Sequence, residues 1–299
     1  MAALETLATV ASATQASDRV PAWRGLRKLT ANPTGAIALV VVVILVVCAV
    51  LAPVVAPYDP VKIAPRIRFQ APSWEHWLGT DQLGRDVLSR IIFGSRVAFK
   101  VALSGTVAAV LIGVTLGIVA GLGRSWIDGF LLLLCDAMRS LPMVLFALAI
   151  VAIYGPSLAT LVCVIAFSMA PGYFRIVRNQ VLVLRSMDFV VASQSMGASL
   201  PRIALTHLMP NLVGPIIVLI AMDIPAVIGI ESGLSFLGQG VQPPEASWGT
   251  MLSDGYSFIR QAPHVAIAAG LPVVVATVAF TFLGEALRDV LDPKSSGGR

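Results

Sequence analysis

From Gly35 to Val55 the chain carries no charge, and five further apolar runs follow at residues 97–121, 130–153, 157–170, 212–230 and 265–283. A helix needs about 20 mainly apolar residues to cross the hydrocarbon core of a bilayer. Each run therefore reads as a span; the fourth is short, but residues 173–184 can continue its helix out of the bilayer. Asn32 and Pro33, ahead of the first run, suit a helix N-cap and a first helical turn. That run is too long for the apolar part of a signal peptide. The predicted class is all-α, a polytopic membrane protein of six transmembrane helices with both termini on one side.

Composition agrees with this pattern. Of 299 residues, 57% are hydrophobic and 12% charged, about half the charged share of a soluble domain, and the mean hydropathy is +0.86. So much apolar side chain has to face lipid. A disordered chain, a disulfide-stapled secreted domain and a soluble metalloprotein are all excluded. Cys48, Cys135 and Cys163 lie inside apolar runs with no C-x-x-C, where cysteine behaves as a small hydrophobe. The net charge of +5 fits loops facing an anionic membrane surface. The basic residues are scattered among spans and build no stripe for a nucleic acid.

Lysine and arginine near span ends set orientation. Residues 175–202 hold four arginines against one acid, Asp188, and four basic residues precede the first span. The 154–156 turn has no charge and 232–264 has one arginine. These counts place both termini and residues 175–202 inside the cell. The loop 57–96 has six basic residues yet falls outside; it is long enough to escape the rule, and residues 85–100 are expected to lie partly along the membrane.

Within the second span, Gly105, Ala109, Gly113, Gly117 and Gly121 recur at every fourth position. Such spacing puts small residues on one face and admits a close helix neighbour; tight packing and a gating role are both open readings. Ionisable residues in the spans are candidate functional groups. Asp136 and Arg139, three apart in the third span, are expected to pair with each other. Asp223, two residues before Pro225, either lines a polar pathway or caps backbone freed by the proline. Glu231, at the end of the fifth span, is a second candidate for the pathway or an interfacial anchor.

Catalytic signatures are absent: there is no G-x-x-x-x-G-K-[ST], no H-E-x-x-H and no G-x-S-x-G, and His76, His207 and His264 fall in separate loops. No metal site is expected. The inside loop running from Arg185 to Asn211 reads as a helix over 188–196, a break at Gly197 and a short second helix starting near Leu200–Pro201. Two short helices joined by a glycine at the membrane face look like a docking knob.

This loop resembles the EAA loop of ATP-binding-cassette (ABC) importer permeases. Val191, Ala192 and Ser193 occupy the Glu-Ala-Ala place, Gly197 the glycine, and His207-Leu208-Met209-Pro210 the ending; Val191 departs from the pattern by replacing the acidic residue. Three further segments are similar to the dipeptide, oligopeptide and nickel branch. They are Leu78-Gly-Thr-Asp-Gln-Leu-Gly-Arg-Asp-Val-Leu-Ser-Arg90, then Glu231 to Pro244 followed by Ser247-Trp-Gly249, then Leu283 to Pro293. Their order and the six spans resemble the "C" member of a permease pair.

The resemblance implies a type I ABC importer permease fold, with a cytoplasmic tail at 1–30, a first helix and extracytoplasmic loop at 31–96, a permease core at 97–289 and a tail at 290–299. It implies half of a translocation pathway in a bacterial plasma membrane. Partners would be a second permease, two ABC ATPases and an extracytoplasmic binding protein. ATP and Mg²⁺ would sit on the ATPases, and no cofactor on this chain. Asp188, Val191, Ala192, Ser193, Met196, Gly197, Ala198, His207 and Pro210 would form the coupling element. Met196, Leu200, Ile203 and Leu205 are expected to supply its apolar contacts to an ATPase. Peptides are the implied cargo, with nickel, glutathione or another small solute as alternatives. An ion-coupled secondary transporter would instead call for inverted repeats and more polar lining.

Overall fold

In the computed structural model, which describes residue 30 and residues 32–291, every regular element is helical apart from one isolated bridge, Thr80–Asp86. Helix α1 (Pro33–Val50) starts where Asn32 accepts a hydrogen bond from the Thr34 amide and Pro33 takes the first turn. A break at Leu51 separates it from a single turn, α2 (Ala52–Val55). After a long loop, Asp86 caps α3 (Val87–Leu122) by accepting from the Ser89 amide. Its 36 residues make a rod of about 54 Å, longer than the bilayer core.

Residues 85–100 straddle the start of this continuous helix. Two of the six basic residues of the 57–96 stretch are buried: the Arg85 Nε lies 2.7 Å from Asp81, and that of Arg90, in the first turn of α3, 3.5 Å from the same carboxylate. Neutralised in this way, they weigh little in a count of loop charge.

The third predicted span is not one rod. It is α4 (Ser125–Ser140) and α5 (Met143–Tyr154), bent by 87°. The cause is Leu141-Pro142: proline lacks an amide hydrogen and drives the residue before it out of helical geometry, and Leu141 sits at ψ 127°. The fourth span is one long helix α6 (Leu158–Leu184), continued through Pro171 into residues 173–184 as its sequence allows. Counting the bent pair as one crossing, six helical spans are present among the described residues.

The chain then forms α7 (Asp188–Ser195), α8 (Leu200–Ile203) and a π-helical turn, Ala204–Leu208, that feeds α9 (Met209–Phe236). Helix α10 (Trp248–Ser257) begins with a capping box between Ser247 and Thr250, and α11 (Pro263–Leu291) closes the bundle.

Helices α3 and α6 form the centre. A Cβ added at Gly113 would stand 2.5 Å from the Tyr173 Cβ, at Gly117 2.9 Å from the Phe174 carbonyl oxygen, and at Gly121 2.5 Å from Val181. Gly105 meets Ile165 in the same way at 2.8 Å, and Ala109 is fully buried. The four-residue repeat is thus the seam along which α6 lies against α3. Burial differs between helices: most of the apolar length of α1 is exposed, whereas more than half of that of α6 is buried.

Candidate functional site

The knob formed by α7 and α8 is built around one left-handed residue. Gly197 has φ +82°, a region glycine enters without penalty. Its amide donates to the Gln194 carbonyl at 2.9 Å, and the Ala198 amide to the Ser193 carbonyl at 3.1 Å, closing α7 and turning the chain into α8. No atom lies within 4 Å of a Cβ placed there, so glycine is required by conformation and not by space.

One face of the knob is fixed to the bundle. Val190, Ile203, Leu208 and Leu212 are fully buried in a cluster with Val177 and Val181 of α6, and Ala198 packs against it. Ile203, expected at a partner surface, is 0% exposed and is an anchor packed into the bundle, whereas Leu200 and Leu205 are exposed. Below the knob, Arg185 donates to the Gly121 carbonyl at 2.8 Å, and Arg178 pairs with Asp128 of α4. The rest of the knob is open: Met196 is 81% exposed and Leu205 69%, and Leu200, Phe189 and Val191 are exposed as well. Asp188, Ala192 and Pro210 are also exposed. Ser193 is buried, and its Oγ lies 3.2 Å from the His207 Nε2, bracing α7 against the π turn. An apolar surface held on a rigid two-helix frame can transmit a push.

The in-membrane ionisable groups fall in two places. Asp136 pairs with Arg175 of α6 rather than with Arg139. Arg139 instead lines a cavity of about 340 Å³ at the α4–α5 bend, shared with Ser168, Gly172 and Asp223. The Tyr173 hydroxyl lies beside the Asp223 carboxyl without closing a well-aligned hydrogen bond. Glu231 faces no open space. It is fully buried and accepts from the Ser235 hydroxyl at 2.8 Å and from Ser232 at 3.3 Å, two serines that pack against the Gly249 backbone.

A family described as "Binding-protein-dependent transport system inner membrane component" matches residues 113–297, and "N-terminal TM domain of oligopeptide transport permease C" matches residues 21–72. The first covers more than half of the chain. The chain belongs to this permease family. Among its relatives is a dipeptide transport system permease protein, DppC, of Alkalihalophilus pseudofirmus, 37% identical over 92% of this chain and 91% of that one. A di/tripeptide permease DppC of Pseudomonas aeruginosa is 38% identical over 86% of each chain. A glutathione transport system permease, GsiD, of Pectobacterium atrosepticum is 37% identical over 96% of each. Two crystal forms of the inward-facing MetNI methionine ABC transporter share the fold, with TM-scores of 0.56 and 0.52 at 16% and 18% identity, over 67% and 68% of this chain and 96% and 95% of those.

Two features of the permease escaped its sequence. Arg139 and Asp223 are 84 positions apart, and only the bend at Pro142 brings them to one cavity. Tyr173 was hidden because an aromatic residue in an apolar helix carries no mark of a polar neighbour. A tyrosine one residue past glycine, opposite the small-residue face of α3, was the available hint.

Proposed function

We propose that the chain is the C-type permease subunit of an ATP-driven importer of dipeptides and oligopeptides. It would provide half of the pathway, with a homologous permease providing the other half. The observation that carries this reading is the rigid α7–Gly197–α8 knob with its outward apolar face, in a family whose dipeptide members align along 86–92% of the chain. The knob and both termini face the cytoplasm, where two ABC ATPases take the knobs into clefts on their surface. An extracytoplasmic binding protein delivers cargo to the opposite face.

ATP and Mg²⁺ act only on the ATPases, and this chain hydrolyses nothing. Closure of the ATPases favours one of two packings of the bundle, and the knob carries that bias to the membrane as a rigid-body movement. Val191 stands where the family pattern has an acidic residue, so contact with the ATPase here relies on the apolar surface around Met196 in place of a salt bridge. The cavity holding Arg139 and Asp223 offers one cation and one carboxylate to a zwitterionic peptide passing the bend.

Uptake of labelled dipeptide, longer peptide and glutathione, in cells with and without this chain, tests the reading. Loss of dipeptide uptake on deletion is expected, restored by the chain in trans. Dipeptide uptake that persists while glutathione uptake is lost would assign the cargo to glutathione.

A further inference from the structure

Arg96 and Lys100 stand one turn apart on α3 and so share a face. Neither makes an ion pair within 4 Å among the described residues; the Arg96 guanidinium lies 5.9 Å from the Phe93 ring centroid. Both residues line two cavities at once. The first, about 670 Å³, opens toward the 56–86 loop and also carries Tyr58, Asp59 and Glu245. The second, about 510 Å³, runs between α1, α3, α9 and α11 and is walled by Val50, Leu103, Ile224 and Phe280. Carboxylates border only the first and aliphatic side chains dominate the second, with the two cations at the junction.

The depth of this junction follows from its neighbours. Tyr58 also belongs to a cleft with Trp74 and Trp77, and Trp74 is 97% exposed. Exposed tryptophan and tyrosine gather at the headgroup level of a bilayer. An unpaired arginine and lysine just inside that level are costly unless an anion meets them. The order carboxylate, cation, hydrocarbon matches the order ammonium, phosphodiester, acyl chain in an aminophospholipid.

We propose that this double cavity binds one phosphatidylethanolamine molecule. Its phosphodiester lies on Arg96 and Lys100, its ammonium reaches toward Asp59 and Glu245, and one acyl chain fills the groove between Val50 and Phe280. Asp59 Oδ1 already accepts from the Val61 amide at 2.9 Å, leaving the second oxygen for the ammonium. The site is independent of what the permease carries.

The test uses the assembled importer in nanodiscs of mixed phosphatidylethanolamine, phosphatidylglycerol and phosphatidylcholine, with retained lipid identified by native mass spectrometry. The wild type is expected to retain phosphatidylethanolamine preferentially. Arg96→Gln and Lys100→Gln each lower retention about fivefold, and Asp59→Asn with Glu245→Gln removes the preference over phosphatidylglycerol while a phospholipid stays bound. Because charge removal can disturb assembly, the wild type is also labelled with phosphatidylethanolamine carrying a photoreactive acyl chain. Adducts on residues 46–50 or 99–103 support the site. Equal retention of all three lipids, adducts confined to other helices, or a cross-link from residue 103 to the second permease subunit would overturn it.

Discussion

Gly197 concentrates the claim at the level of single residues. At φ +82° a side chain costs about 1–2 kcal/mol in backbone strain, although nothing would collide with it. Gly197→Val should insert into the membrane normally, retain the ATPases' hydrolysis and lose most peptide uptake. Gly197→Asn, which tolerates the left-handed region, should keep most of it. Uptake and ATP hydrolysis measured on the same vesicles separate the two effects; wild-type uptake by the valine variant would remove the glycine from the coupling account. Ile203 and Met196 form a second contrast, since one is fully buried and the other is the most exposed apolar side chain of the knob. Ile203→Ala should destabilise the chain by about 2–5 kcal/mol, read as a lowered melting temperature of the purified complex. Met196→Ala should leave that temperature unchanged while weakening retention of the ATPases on purification.

Among the elements, the α3–α6 seam governs assembly. Gly113→Leu drives a side chain into a position 2.5 Å from the Tyr173 Cβ and 2.7 Å from the Ala170 carbonyl, backbone that cannot step aside. Overpacking of this kind costs about 1–3 kcal/mol or more, so the variant should be degraded or fail to recover with its partners. Gly129→Ala, with nothing within 4 Å, should match the wild type in membrane abundance. The seam was legible in advance because a four-residue spacing of small residues maps onto one helical face whatever the neighbour is. The knob's two helices were legible for a related reason: glycine and proline mark chain direction locally. The 87° bend was not, since hydropathy averages across Leu141-Pro142 and reports one apolar run. The Asp136–Arg175 pair was hidden too, because a partner one turn away along the sequence hides a partner on another helix. The burial of Ile203 was hidden as well, because a loop of mixed α and π geometry leaves helix phase undefined until it is seen.

The whole molecule is a bundle with a rigid handle at one end, a loop tied by buried charges at the other, and a polar cavity at the bend between. Arg85 bridges Asp81 at 2.7 Å and reaches Asp254 of α10 at 3.7 Å, while His76 meets Asp86 at 2.9 Å beside the start of α3. The loop, α3 and α10 therefore move together, as an importer needs if force entering at the knob is to reach the opposite face. Breaking a buried pair by removing one partner costs about 3–5 kcal/mol, so Asp81→Ala is expected to lower the melting temperature of the complex more than any exposed-charge substitution. A wild-type melting curve for that variant would mean the loop is not fixed to α3. The sidedness of the handle decides the rest. With Cys48, Cys135 and Cys163 replaced by alanine, Met196→Cys can be exposed to a membrane-impermeant maleimide in intact cells and in inside-out vesicles, with and without the ATPases. The account predicts labelling in inside-out vesicles alone, and protection there when the ATPases are bound. Labelling in intact cells, or labelling that ignores the ATPases, would contradict it.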